Sequence, residues 1–255
     1  VKILIKLGGT LLDAADSRER LAREITAVAA REQVTVVHGG GKQMTRFLAE
    51  RGVESKFVNG LRVTTPDVID AVVKVFSGSV NASLVTAFRV AGARAVGLSG
   101  FSAGLVDAVQ MDPELGQVGK PTSSNGHLLD VLVQAGYIPV VACVAGDASG
   151  SIYNVNGDQM AVACAAGFQT KTLVFLTDVD GVRDAEGKTR ATLTAQEARQ
   201  LIADGVATGG MQAKLEAAMS ALAQGVGEVV IAPGARVGIV EEVLANSQIG
   251  TRIIP

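Results

Sequence analysis

The sequence predicts an α/β protein built on a mainly parallel sheet. Three observations carry that prediction. Short runs rich in Val and Ile alternate with longer segments of helical period along the chain. Several of those runs end directly in glycines that open onto a helical segment. Further glycines close the helical segments, as helix stops do.

Taken in order, the first strand is expected over residues 2–7 and runs into Gly8 and Gly9. A helix over 17–30 leads to a strand over 34–37, which exits through His38-Gly39-Gly40-Gly41 into a helix over 42–51 stopped by Gly52. Pro66 suits the first turn of a helix over 66–77, with Thr65 as its cap, and a second helix over 81–91 stops at Gly92. The next strand, 93–98, ends in Ser99-Gly100. A helix over 124–135 and Gly136 precede the strand at 138–142. A helix over 158–166 ends at Gly167, and a strand follows at 172–176. Residues 182–190 read as a hairpin or surface excursion. Thr194 and Glu197 offer a capping box for a helix over 194–204 with Gly205 behind it. A helix over 210–224, Gly225 and a strand over 228–231 complete the pattern. A boundary between two halves fits near Gly167, although composition alone does not place it.

The 255 residues are 48% hydrophobic and 19% charged, enough apolar content to bury a core. The net charge of −2 implies no broad basic surface and argues against nucleic acid as a partner. Cys143 and Cys164 lack metal-type spacing and read as buried, reduced thiols. No uninterrupted apolar run approaches the roughly 20 residues of a membrane span. The start of the chain is strand-like rather than a signal peptide, so a cytoplasmic location is expected.

The glycines at strand exits are the strongest functional signal. In parallel α/β sheets ligands bind at the carboxyl ends of strands, and glycine there lets backbone N–H groups approach an anion. Neither common phosphate-binding pattern is present. No Gly-Lys pair completes a P-loop, since Gly187-Lys188-Thr189 would need glycine where Val182 stands, and no G-x-G-x-x-G occurs. Lys6 interrupts the first apolar strand just before its glycine exit. Asp158 opens a helix after Asn154-Val155-Asn156-Gly157, and Lys214 sits in the first turns after Gly209-Gly210. Each has an ordinary reading, as a solvent-facing lysine or a helix cap. With Asp178, in Leu176-Thr177-Asp178-Val179-Asp180-Gly181, they form a set of two lysines and two aspartates at strand exits and helix entries. Phosphoryl transfer uses such a set: cations neutralise the shared charge while carboxylates orient the groups.

The ordered motifs resemble the amino acid kinase family and, within it, the acetylglutamate kinases. They are Ile5-Lys6-Leu7-Gly8-Gly9, Val37-His38-Gly39-Gly40-Gly41, Phe57-Val58-Asn59-Gly60-Leu61-Arg62-Val63-Thr64 and Val96-Gly97-Leu98-Ser99-Gly100. Gly136-Tyr137-Ile138-Pro139-Val140, Tyr153-Asn154-Val155-Asn156-Gly157-Asp158-Gln159, Leu176-Thr177-Asp178-Val179-Asp180-Gly181-Val182 and Gly209-Gly210-Met211-Gln212-Ala213-Lys214 continue the series. The resemblance implies a three-layer αβα sandwich. Residues 1–167 would bind the acylated amino acid and dimerise, and residues 168–255 would bind the nucleotide. It implies ATP-dependent phosphorylation of the side-chain carboxylate of N-acetyl-L-glutamate, in arginine biosynthesis. Lys6 and Lys214 would stabilise the transferring phosphoryl group, with Asp158 organising them. Backbone groups at Gly8, Gly9, Gly39 and Gly40 would line the phosphoryl path and the substrate. Arg62 and Asn154 would hold the acylated amino acid. ATP would lie along Asp178, Val179, Asp180, Gly181, Val182 and Arg183 and along Val206, Ala207 and Thr208, with Mg²⁺ held through its phosphates. His38, one of two histidines, is expected to shape its loop rather than act as a base.

Two residues depart from the family pattern. Gly157 stands where many members carry alanine, and Ala82 follows Asn81 where lysine is usual. Neither removes a proposed catalytic group, but they leave the acyl group and acceptor length open; the alternatives are a kinase of carrier-protein-linked aminoadipate or glutamate and, as a separate class, a non-catalytic amino-acid or nucleotide sensor. The sequence opens at the first strand, without the preceding helix of arginine-inhibited hexameric members. The corresponding expectation is a homodimer that L-arginine does not inhibit.

Overall fold

The computed structural model describes residues 1–245 and 248–255. In chain order the strands are β1 (Lys2–Leu7), β2 (Gln33–His38), β3 (Phe57–Val58), β4 (Leu61–Arg62), β5 (Ala95–Ser99), β6 (Val106–Gln110) and β7 (Val118–Ser124). They continue with β8 (Ile138–Ala142), β9 (Val144–Gly146), β10 (Ile152–Val155), β11 (Thr172–Thr177), β12 (Thr192–Thr194), β13 (Glu228–Pro233) and β14 (Thr251–Ile254). The helices are α1 (Ala15–Ala29), α2 (Gly41–Ala49), α3 (Pro66–Val72), α4 (Asn81–Val90), α5 (His127–Gln134), α6 (Gly157–Gly167), α7 (Ala195–Ala203), α8 (Gly209–Ala223) and α9 (Ile239–Leu244).

Eight strands form the central sheet, in the order β12-β14-β13-β11-β1-β2-β8-β5. Every neighbouring pair is parallel except β13 and β14. β1 sits between β2 and β11, so one sheet runs through both halves of the chain. The register matters for function. Leu7 pairs with His38 on one side and Leu176 on the other, which brings the exits of β1, β2 and β11 level with one another. Helices α5, α6 and α8 pack on one face of the sheet, and α1, α4 and α9 on the other. The β1 residues Ile3, Leu4, Ile5 and Leu7 are all buried, as a strand covered on both faces requires. A small closed sheet, β10-β7-β6-β9, and the two-stranded hairpin β3-β4 stand beside it.

The alternating core elements lie where the sequence places them, and the capping box at Thr194 and Glu197 is formed. Several boundaries differ. Ser124 ends β7, and α5 begins only at His127. The helices expected over 66–77 and 81–91 are joined, because Val73–Val80 winds as a π-helix between α3 and α4. The resulting helix, Pro66–Val90, is 25 residues long with a mean hydropathy of 1.5 over its most apolar window, which would suit a membrane span by length and composition. Half of that window is buried inside the protein, and the whole helix carries Asp67, Asp70, Lys74 and Arg89, so it reads as a core helix. Gly52, Gly92, Gly136, Gly205 and Gly225 end helices with positive φ, as expected. Gly167 does not. It is the last residue of α6, and the left-handed position falls to Gln169. Its lack of a side chain answers to packing instead, since a Cβ there would stand 2.4 Å from Ser124 Oγ.

Candidate active site

The carboxyl ends of β1, β2 and β11 open onto the glycine loops. Gly8 N–H donates to Leu176 O at 3.0 Å and ties the first loop to the exit of β11. A Cβ on Gly9 would stand 3.3 Å from Gly41 N, so the Gly8-Gly9 and Gly39-Gly40-Gly41 loops lie against each other. A Cβ on Gly39 would meet nothing within 4 Å, so this backbone borders open space. The amino ends of α2 and α8, at Gly41 and Gly209, receive no side-chain cap. Uncapped helix starts of this kind can receive an anion, although at α8 the Met211 N–H already donates to Thr208 O at 3.1 Å.

Asp158 lies between the two lysines. Its Oδ1 is 2.7 Å from Lys6 Nζ and its Oδ2 is 3.3 Å from Lys214 Nζ. Lys6 comes from the central strand, Asp158 from the start of α6, and Lys214 from the second turn of α8. The cap of α6 is Asn156, whose side chain accepts from the backbone of Asp158 and Gln159 at 2.9 and 3.3 Å. Asp158 is therefore free of capping and turns its carboxylate toward the lysines. Burial alone would raise its pKa, but the charges of Lys6 and then Lys214 outweigh that and hold it below the ordinary carboxylate range. Two ammonium groups share one carboxylate, which leaves a surplus of one positive charge at the strand exits. Gly157 stands beside this group, where a Cβ would come 3.2 Å from Lys6 Cε and 3.5 Å from Cys143 Sγ.

Arg62 is presented by the β3-β4 hairpin, whose turn residues Asn59 and Gly60 both have positive φ, as a tight two-residue hairpin needs. The guanidinium is buried. It donates to Gly41 O at 3.1 Å, to Thr45 Oγ1 at 2.8 Å and to Ser55 Oγ, and it lies 4.7 Å from the centre of the Phe57 ring. These acceptors are all neutral. No carboxylate among the described residues pairs with it, and burial draws its pKa below the ordinary arginine value. A buried cation with neutral partners alone is suited to an anionic ligand. Asn154 donates to Thr64 Oγ1 at 3.0 Å, and that hydroxyl donates to Arg62 O at 2.9 Å. Thr64 thus links the two residues expected to hold the amino acid. Sequence reading did not single out Thr45, Ser55 and Thr64 as supports, because their roles depend on which face of Arg62 they meet.

His38 is fully buried, and burial lowers its pKa to about 4. Its Nδ1 lies 2.8 Å from Gly39 O and its Nε2 lies 2.9 Å from Asn81 Nδ2. Asn81 Nδ2 also donates to Val140 O at 2.9 Å, so His38 Nε2 is the acceptor and Nδ1 carries the proton. The ring is neutral and occupied at both nitrogens, which suits a loop-shaping role.

The residues expected at the nucleotide fall into two groups. Asp178, Val179, Asp180, Gly181, Val182 and Arg183 follow β11, where Asp178 and Asp180 are exposed and Val182 is buried with its N–H on Thr251 Oγ1 at 2.7 Å. Val206, Ala207 and Thr208 lead into α8, which carries Lys214. Among the described residues no group of three or more His, Cys, Asp or Glu is placed to hold a metal ion.

The profile of the amino acid kinase family matches residues 1–233. The chain is 63% identical over 255 residues to an acetylglutamate kinase of Solibacter usitatus, covering 100% of this chain and 99% of that protein. It is 42% identical over 237 residues to an acetylglutamate kinase of Cereibacter sphaeroides, covering 91% and 80% of the two. Among solved structures it superposes on N-acetylglutamate synthase from Neisseria gonorrhoeae, complexed with coenzyme A and N-acetyl-glutamate, with a TM-score of 0.88 and 25% identity. All of this chain is covered in that superposition, against 59% of the synthase.

Proposed function

The chain belongs to the amino acid kinase family, and we propose that it transfers the γ-phosphoryl group of ATP to the side-chain carboxylate of N-acetyl-L-glutamate. The product is N-acetylglutamyl 5-phosphate, in the second step of arginine biosynthesis. The observation that carries this reading is the meeting of two charge arrangements across one glycine loop. Lys6, which shares Asp158 with Lys214, stands on the strand that runs into Gly8-Gly9, Gly9 lies against Gly41, and Gly41 O accepts from Arg62.

Arg62 and Asn154 bind the acylated amino acid, the guanidinium supplying the charge-assisted contact that its neutral partners leave open. The side-chain carboxylate of the substrate is the nucleophile. With an ordinary pKa of about 4.3 it is already ionised at neutral pH, so no protein base is needed. The transfer gathers negative charge between donor and acceptor oxygens. Lys6 and Lys214 are aimed at that charge, and Asp158 fixes both ammonium groups before the reaction begins. The Gly8, Gly9, Gly39 and Gly40 backbone lines the path between the two substrates.

In this reading residues 1–167 serve the acyl amino acid and residues 168–255 the nucleotide, with ATP along 178–183 and 206–208. The amino end of α8, which no side chain caps, and Lys214 fit a polyphosphate. Mg²⁺, carried on the ATP phosphates, supplies further neutralisation of their charge. The enzyme works as a cytoplasmic homodimer. The test is ADP release with a panel of free acyl-glutamates, the carrier-linked alternatives and glutamate itself. Turnover confined to N-acetyl-L-glutamate and close analogues is expected, and turnover only of a carrier-linked acceptor would overturn the assignment.

A further inference from the structure

The π-wound stretch Val73–Val80 touches the substrate loop at two points, and Asn81 directly after it touches His38 at the head of that loop. The Phe76 ring occupies the space where Gly40 would carry a Cβ, 2.8 Å from Cδ1 and 2.9 Å from Cε1. Val80 Cγ2 lies 3.3 Å from the same position. Asn81, the first residue of α4, holds His38 through Nδ2 and anchors itself on Val140 O. Its Oδ1 fills the place of a Cβ on Gly97, at 2.0 Å, so the edge strand keeps a glycine where this amide passes. Gly40 has φ 179° and ψ 29°, and the Phe76 ring stands where its Cβ would be, so a side chain there meets the ring.

The winding decides whether these side chains can act together. In an α-helix, at about 100° per residue, positions 76, 80 and 81 spread over about 140°. In a π-helix, at roughly 4.4 residues per turn, they fall within about 80°. Asn81 N–H donates to Phe76 O, the i to i−5 bond of π winding, and this bond joins the first and last of the three residues. Replacing it with α winding would turn Asn81 away from His38 or Phe76 away from Gly40.

We propose that Phe76, Val80 and Asn81 are positioning residues for the Gly39–Gly41 loop, and that the π winding of Val73–Val80 exists to present all three to it. The proposal rests on the reading of that loop as part of the acyl-amino-acid site. The expected signature is a change in KM for the acyl amino acid without a matching change for ATP.

Steady-state kinetics of the full chain with N-acetyl-L-glutamate and ATP test it through Gly40→Ala, Phe76→Leu and the double variant. Gly40→Ala forces a methyl into the ring and raises the acyl-substrate KM about tenfold or more, since displacements near 1 Å cost up to about a hundredfold. Phe76→Leu keeps an apolar core side chain and raises the same KM by no more than about tenfold. The double variant recovers part of the Gly40→Ala loss, because the leucine vacates the methyl's space; purely structural damage would add instead. Additive losses, or equal rises in both KM values, would overturn the proposal. Should Gly40→Ala not fold, Phe76→Leu alone decides: an unchanged acyl-substrate KM sinks it. If the wild type fails to turn over N-acetyl-L-glutamate, the functional assignment falls separately. Amide hydrogen exchange at Gly39, Gly40 and Gly41, faster in Phe76→Leu than in wild type, then tests the positioning role without turnover, and unchanged exchange would overturn it.

Discussion

The two ends of the site handle charge in opposite ways. At the phosphoryl-transfer end, Asp158 compensates one of the two lysine charges inside the protein, at 2.7 and 3.3 Å. At the proposed amino-acid end, the Arg62 guanidinium donates only to a carbonyl and two hydroxyls, with the Phe57 ring beside it. The first arrangement is complete before any ligand arrives, as preorganised electrostatic catalysis requires. In the proposed assignment the second is completed by the ligand. The lysines should therefore govern rate, and Arg62 should govern binding.

The largest expected effect tests the first half of that comparison. Lys6→Ala and Lys214→Ala should each lower kcat on the order of 10²–10³ while the protein stays folded, because each charge acts on the transition state. Near-normal kcat in either variant would return that lysine to a solvated or merely structural part. Next comes Arg62→Ala. Losing one charge-assisted contact costs about 2–3 kcal/mol, or roughly 30–160-fold in the KM for the acyl amino acid, with the ATP KM little changed. Movement of the ATP KM alone would mean that the two sites have been exchanged.

A smaller effect comes from His38, at the seam between the two ends. Its folded pKa of about 4 lies below the ordinary 6.5, so the folded state binds fewer protons than the unfolded one between these values. Its contribution to stability is complete above pH 6.5 and is lost as pH falls toward 4. Asp158 is also depressed, and its contribution disappears later, as pH falls below the ordinary carboxylate range of about 3.9. Unfolding midpoints measured from pH 7 to 4 should therefore fall less steeply for His38→Asn than for wild type. Parallel curves would show that His38 is not held neutral. The smallest expected effect is none at all: kcat should be flat between roughly pH 6 and 8 in wild type and in His38→Asn, apart from the titration of ATP. A limb near pH 6.5 that vanishes in the variant would reveal a base and remove the carboxylate acceptor from the assignment.

The comparison also shows how far sequence carries. Lys6, Asp158 and Lys214 were legible because each interrupts a local pattern: a lysine in an apolar strand, an aspartate at a helix start, a lysine just beyond a glycine pair. Arg62 was legible as the cation of its hairpin motif. The neutral shell around Arg62 was not, since Ser55 and Thr45 are ordinary polar residues until the hairpin folds over α2. The strands β6, β7, β9 and β10 also escaped notice. β9 and β10 have only three and four residues, β7 contains Pro121, and the pairing of β6 with β7 shifts register between Asp107 and Ala108, so no long alternation survives to announce them.

Local physics fixed what the sequence could fix alone. Alternating apolar runs and glycine exits set the α/β class, glycine stops and the Thr194 capping box set most helix ends, and the residue types supplied two cations and a carboxylate for the chemistry. Tertiary structure decided the rest. Asp158 faces the lysines because Asn156 takes the cap, and Lys6 and Lys214 share it because α6 packs against both the central β1 and α8. The π winding before Asn81 accompanies contacts to a loop about forty residues earlier in the chain. Each of these depends on a partner distant in sequence, and a local pattern carries no information about which distant group will fill the space beside it.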